Sequence, residues 1–255
     1  MRGLARVLPV VLIAGACSGP TSPSPLTSPS SSPTQPSMPP IRVLMITATT
    51  GFRHDSISTA RTVVATLTAR TGEFAVDATE NLADLSAARL ASADVLMFAL
   101  TSGELALDEG QKRAMLDFVN AGGGFIGIHS ASDTLYEWPD YGRLVGAYFK
   151  EHPWTQQAAV TVEDRAHPIT SGLGSGFTLM EEFYTFRDNP RPSVHVLLSL
   201  DPASVGTQGD FPLAWTQSIG RGRSYYNALG HFSETWTDPR FQTQISAAIR
   251  WVAGR

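Results

Sequence analysis

Gly122-Gly123-Gly124-Phe125-Ile126-Gly127-Ile128-His129-Ser130-Ala131 decides the fold class of this 255-residue chain. The glycine triplet stops a helical pattern, the run from Phe125 to Ile128 is continuously apolar, and a histidine stands where that strand ends. Working outward, Arg42-Val43-Leu44-Met45-Ile46 is a second such strand, and Ile57, Ala60, Val64 and Leu67 then recur at helical spacing. Phe74-Ala75-Val76 and the stretch from Ala93 to Phe98 supply two more strands. A helix from about Asp108 to Asn120 carries Met115, Phe118 and Val119 on one face. Apolar strands alternating with helices predict an α/β fold with a mostly parallel sheet covered on both faces.

Strand candidates in the second half run from Ala158 to Val162, Val194 to Leu200, Leu213 to Gln217 and Arg223 to Asn227. Gly220-Arg221-Gly222 between the last two reads as a hairpin turn, so an antiparallel extension of the sheet is expected. Asp238 as N-cap and Pro239 at the first helical position open a final helix with Phe241, Ile245, Ile249 and Trp251-Val252.

The N-terminus is read as an address. Arg2 and Arg6 precede an apolar run, Val7 to Ala16, too short to span a bilayer but suited to a secretory signal over residues 1–16. Small residues lead directly to Cys17, the only cysteine, which predicts cleavage there and lipidation of its thiol; an ordinary secretory peptide yielding a secreted soluble protein is the alternative. Residues 17–40 are mostly Ser, Thr and Pro, a composition that cannot bury enough surface to offset ordering entropy, and so form a tether. The expected arrangement is an exported cell-envelope lipoprotein that meets the membrane only through its lipid, with one folded domain over 41–255. Formal charge is −4; without Arg2 and Arg6, 17 basic residues face 23 acidic ones. No basic stripe appears, so nucleic acid is not an expected partner. The sequence does not specify an oligomeric state.

Three histidines stand just past apolar strand-like segments: His54 in Gly51-Phe52-Arg53-His54-Asp55, His129, and His231 in Leu229-Gly230-His231. Ligands of open α/β sheets bind beyond the carboxyl ends of the strands, so the three are expected to share one site.

These blocks, with His167-Pro168-Ile169, Glu182-Phe183-Tyr184, Pro212-Leu213-Ala214-Trp215-Thr216 and Asn227-Ala228-Leu229-Gly230-His231, fall in the order of the ThuA-like, or trehalose-utilisation, family, which the chain resembles over 41–255. The resemblance implies a flavodoxin-like, class I glutamine amidotransferase-like three-layer sandwich and a link to sugar metabolism. In that fold the strand-to-helix elbow presents a nucleophilic cysteine. Here the matching position holds His129 and Cys17 lies in the signal, which excludes cysteine-based glutamine hydrolysis. Ser130 is one place past the elbow centre.

Two readings of the cluster stay open. His54, His129 and His231 with Glu182 form a ligand set for a divalent metal such as zinc, or they act metal-free as general acid and base. Either suits a sugar-directed hydrolase, lyase or isomerase; a non-catalytic sugar-binding accessory protein is the alternative. Tyr136, Trp138, Trp154, Tyr184 and Trp236 are expected to offer flat faces to a pyranose, and Asp133, Glu137 and Asp140 its polar contacts. Trp215 and Trp251 are read as core. His152 and His167, each before a proline, are read as structural, and His195 as a sheet or surface residue. Asp55 is expected to cap the helix beginning near Ile57.

Overall fold

Strand β1 (Ile41–Ile46) leads into helix α1 (Ile57–Thr71), whose Ile57, Ala60, Val64 and Leu67 are buried, as their spacing predicts. The computed structural model describes residues 11–12 and 38–255; the expected cleavage site, Cys17 and the tether up to residue 37 lie outside the described residues. β2 (Phe74–Thr79), α2 (Ala87–Leu90), β3 (Val95–Ala99), α3 (Glu109–Asn120) and β4 (Gly124–Ile128) continue the alternation. β1 pairs in parallel with β2 and β3, and β3 with β4. α3 opens with a reciprocal cap in which Asp108 accepts from the Gln111 amide and the Gln111 side chain from the Asp108 amide. Such a cap contributes about 1 kcal/mol.

α4 (Pro139–Val145) is followed by β5 (Phe149–Val162), β6 (Gly176–Phe186), β7 (His195–Leu200), β8 (Pro212–Ile219) and β9 (Gly222–Asn227), then α5 (Ser233–Thr237) and α6 (Pro239–Val252). The nine strands lie in the order β2-β1-β3-β4-β9-β8-β7-β5-β6. β9 returns to pair in parallel with β4, while β8, β7, β5 and β6 extend the sheet antiparallel. The β8–β9 turn at Gly220, with φ 57°, and the Asp238 cap followed by Pro239 match the sequence reading. Met45, Ile46, Met97, Phe98, Phe125 and Ile126 are fully buried between helical layers. Among the described residues, no helix is long and apolar enough to cross a membrane.

Three local features differ from expectation. β5 begins at Phe149, well before Ala158, because two register irregularities between Phe149 and Trp154 carry a polar, proline-bearing stretch within the ladder. β6 was not predicted as a strand: the adjacent Glu181-Glu182 break its apolar alternation. At the start of α1 the N-cap is Ser56, not Asp55; Ser56 makes no capping bond because its hydroxyl donates instead to the Gly230 carbonyl.

Candidate metal centre

β4 ends in a sharp elbow. His129 takes φ 53°, a left-handed conformation that costs a residue with a side chain about 1–2 kcal/mol. Packing holds the elbow: the Tyr226 hydroxyl donates to the His129 carbonyl at 2.7 Å, and a Cβ on Gly127 would meet Tyr226, Ala131 and Val145 at 3.1–3.3 Å. The His129 ring is fully buried and its Nδ1 lies 2.7 Å from the Ala228 carbonyl. A carbonyl only accepts, so Nδ1 carries the proton and Nε2 presents its lone pair to the site. Burial, and next the nearby His54, push the His129 pKa well below the ordinary histidine value.

His54 sits on the loop leaving β1. The Thr50 and Gly51 amides donate to the Ser102 carbonyl, and the Ser102 hydroxyl donates to the Phe52 carbonyl at 2.6 Å. Gly103 makes this apposition possible: its φ is 76°, and a Cβ there would lie 2.6 Å from the Gly51 nitrogen. His54 is 5% exposed, and burial followed by the repulsion of His231 lowers its pKa to about 4. Its Nδ1 is 3.5 Å from the Ser130 hydroxyl.

β6 supplies the carboxylates, and side chains alternate across a strand, so Glu181 and Glu182 do different things. Glu182 joins the histidines. Burial pushes its carboxyl up, but His231, His152 and His54 outweigh that and hold it below the ordinary carboxylate value. Glu181 is fully buried and accepts from the Gly230 amide at 2.9 Å, the His231 amide at 3.0 Å and the Thr235 hydroxyl at 2.6 Å. It fixes the backbone that carries His231, and sequence reasoning missed it; the only signal is the doubled glutamate. Outer-shell groups of this kind change metal affinity by about 10–100-fold. Glu181→Gln, which replaces a doubly accepting oxygen with an amide donor, is therefore expected to weaken zinc binding by about tenfold or more, measured by competitive titration. Unchanged affinity would show that the His231 loop holds its place without the carboxylate.

The four expected residues converge. One donor atom from each of His54, His129, Glu182 and His231 lies within 4.8 Å of all the others. The ring centroids of His54 and His129 are 4.8 Å apart, those of His54 and His231 5.1 Å, and those of His129 and His231 5.4 Å. His231 Nδ1 stands 2.9 Å from Glu182 Oε2, yet the two are not aligned as a hydrogen bond, and Nδ1 is a buried nitrogen with no partner. A ring nitrogen and a carboxylate oxygen this close with no hydrogen bond aligned between them are an arrangement that a shared cation satisfies. The donors also suit the group chemically: two deeply buried imidazoles held neutral, a third imidazole and one carboxylate fit zinc or a similar divalent ion.

The other expected contacts divide. Tyr184 reaches the site, its hydroxyl 2.8 Å from His129 Nε2, and is nearly fully buried. Trp236 does not: it is fully buried and its ring N–H donates to the Gly230 carbonyl, so it supports the loop from below. Trp138 packs on Tyr141 in the core at 8% exposure. Both corrections have one cause, since a large ring next to a turn is more stable buried than wet. Trp215 is core, as expected, with its N–H on the Val145 carbonyl. The Tyr136 hydroxyl is engaged by Asp133 at 2.6 Å and its ring is covered by Arg187, which leaves the pair a half-buried internal network. His152, read as structural, is exposed and lies at the edge of the site, with Nδ1 3.6 Å from Glu182 Oε1. The irregular register of β5 turns it there.

A strand-order-reversing α/β sheet whose elbow residue, His129, is one member of a His₃Glu cluster defines an amidotransferase-like fold with a histidine where the nucleophile would stand. The chain belongs to the ThuA family, described as trehalose utilisation, whose model matches residues 42–252. Among solved structures it is similar to a ThuA-like protein from Bacteroides uniformis, with 24% identity and a TM-score of 0.72, covering 87% of this chain and 95% of that one. A ThuA-like protein from Parabacteroides merdae gives 19% identity and a TM-score of 0.70, over 84% of this chain and 90% of that one. For the fold alone, a β-galactosidase from Bacillus circulans sp. alkalophilus matches at 13% identity and a TM-score of 0.57, over 84% of this chain but 31% of that one. No curated protein matches the chain.

Proposed function

We propose that this ThuA-family protein is a metal-assisted enzyme acting on a carbohydrate, with His54, His129, His231 and Glu182 holding a divalent cation such as zinc. The observation that carries this reading is the buried, unpartnered His231 Nδ1 facing Glu182 inside a four-donor cluster. The family's description, trehalose utilisation, supports a sugar as substrate. When bound, the cation supplies polarisation of a sugar oxygen or activation of water. The protein's own groups orient the donors: the Ala228 carbonyl fixes the His129 tautomer, and Glu181 holds the His231 backbone. Glu182 supplies the negative charge, and its second oxygen faces His152 at the edge of the cluster. The test is elemental analysis of the untagged protein, followed by incubation of the zinc-loaded form with trehalose and other α-glucosides under NMR. Stoichiometric metal with turnover supports the reading. Stoichiometric metal and binding without turnover would make the protein a sugar-binding accessory, and absence of metal after reconstitution would overturn the metal site.

One observation favours a metal-free alternative. His129 Nε2 accepts from the Tyr184 hydroxyl, and a single lone pair cannot serve both that proton and a cation. Without metal, Tyr184, His129 and Glu182 are a proton relay at a sugar oxygen. Tyr184→Phe separates the two readings. Removal of the competing donor is expected to leave zinc affinity equal or higher in the metal reading, whereas in the relay reading the protein takes up no zinc and the variant loses turnover.

We further propose that the mature protein is exported and anchored through acylated Cys17, a reading supported by the residues flanking that cysteine. Palmitate labelling in a bacterial host is expected for the full chain and is expected to vanish in Cys17→Ser; equal labelling would sink the anchor.

A further inference from the structure

The folded part of the chain hides its large apolar side chains with two exceptions. Among described residues 39–255, the exposed large hydrophobics are Phe52, at 64%, and Met180, at 51%. Each lies two residues before a member of the cluster: Phe52 before His54 and Met180 before Glu182. In β6 that spacing puts Met180 on the same face as Glu182. The Phe52 ring is 4.8 Å from that of His54, edge to face, and 6.5 Å from that of His231, nearly parallel. The backbone that carries it is held, since the Ser102 hydroxyl bonds the Phe52 carbonyl and Gly51 and Gly103 lie closely apposed. An exposed phenyl ring on a held backbone leaves apolar area that the face of a ligand can cover.

His54 is also reached from a cleft of about 550 Å³ whose lining includes Arg53, Asp55, Arg61 and Glu80 but not the Phe52 ring. A ligand at the cluster that covers the exposed ring needs one apolar face, and hydroxyls elsewhere to meet the polar groups around His54. We infer that Phe52 is the ring-stacking wall of the site and selects a pyranose whose hydroxyls are mostly equatorial, so that the axial C–H groups lie on the phenyl face. This rests on the sugar reading above and assigns to Phe52 the stacking part expected of Trp138 and Trp236, which are in the core. Specificity then comes from ring shape rather than from hydroxyl count: an open-chain polyol offers the same oxygens without a face to stack.

The test uses the zinc-reconstituted protein with methyl α-glucoside and trehalose as probes and sorbitol as the open-chain control, binding being followed by saturation-transfer NMR and calorimetry. Phe52→Ala is expected to weaken both pyranoses by about tenfold, the worth of one aromatic contact, with zinc content unchanged and sorbitol no better bound. Phe52→Tyr, which keeps the ring, is expected to retain wild-type binding. Equal pyranose affinity in wild type and Phe52→Ala would overturn the inference, as would sorbitol binding as well as the glucosides. A wild-type protein that holds zinc but binds neither pyranose would overturn it too while leaving the metal reading intact. Loss of zinc from the wild type is the separate failure of that reading.

Discussion

Zinc affinity is expected to fall by at least about a hundredfold in His129→Ala, the larger of the two strongest effects that the site's geometry predicts. Structural zinc sites bind with about 10–16 kcal/mol, so one of four donors accounts for roughly 3 kcal/mol, and every 1.4 kcal/mol is a factor of ten. The geometry makes His129 the least replaceable donor. Its ring is fixed at Nδ1 by the Ala228 carbonyl and its backbone by Tyr226, so its Nε2 is held in place toward the other three donors. Alanine bears the same left-handed strain as histidine at φ 53°, so the substitution leaves the backbone cost alone and removes the ligand. The metal-free variant should fold, with a cavity penalty eased by the loss of a desolvated imidazole. Competitive titration against a chromogenic chelator, with thermal unfolding of the metal-free proteins as control, measures both quantities. Affinity equal to wild type in a folded variant would place any bound metal somewhere other than this cluster.

The parallel half of the fold was legible because its strands are continuously apolar and its helices amphipathic, so one period identifies each element. The β5–β6 hairpin was not. Lys150, Glu151, Pro153 and the Glu181-Glu182 pair interrupt both strands, and two of the residues that blur the pattern, Glu181 and Glu182, are the ones that build the site. A strand shaped for function departs from the hydrophobic alternation that reveals strands. The histidines were legible for the opposite reason: each ends an apolar run, and the sheet brings such ends together. Tyr184 lies at the site as expected, but Trp138 and Trp236 were misjudged because composition does not say which way a ring points. Trp236 and Phe52 both flank a cluster histidine in sequence or space, yet only the pinned loop at Ser102 and Gly103 decides that Phe52 is the exposed one. Glu181 could not be separated from Glu182 without the pleat.

The metal-free protein is expected to lose stability steeply on mild acidification. His54 titrates near 4 in the folded protein, against an ordinary value of 6.5. Between those values the unfolded chain binds a proton that the folded one refuses, so unfolding becomes easier as pH falls. Nothing is lost above about pH 6.5, where both states are neutral, and the loss from His54 is complete once pH reaches its folded value. At 1.36 kcal/mol per unit that is about 3 kcal/mol, a large share of a marginal domain stability. His129, lowered further by burial, adds in the same direction. Glu182, held below the ordinary carboxylate value, contributes stability that disappears only at lower pH, as protons reach its folded value. Glu181 opposes these: burial raises its pKa, so the folded state takes up its proton first and recovers some stability as pH falls. The histidines dominate from pH 6.5 to 5 because their protonation window comes first. Urea unfolding of the metal-free protein at pH 7.5, 6 and 5 should show the fall, and His54→Asn should flatten it. Zinc should add stability at pH 7.5 and add progressively less toward pH 5, since protons and cation compete for the same imidazole lone pairs. A metal-free protein equally stable at pH 7.5 and pH 5 would mean that these imidazoles are wet enough to take their protons without unfolding, and a cluster that open would not hold its donors neutral and converged for a cation.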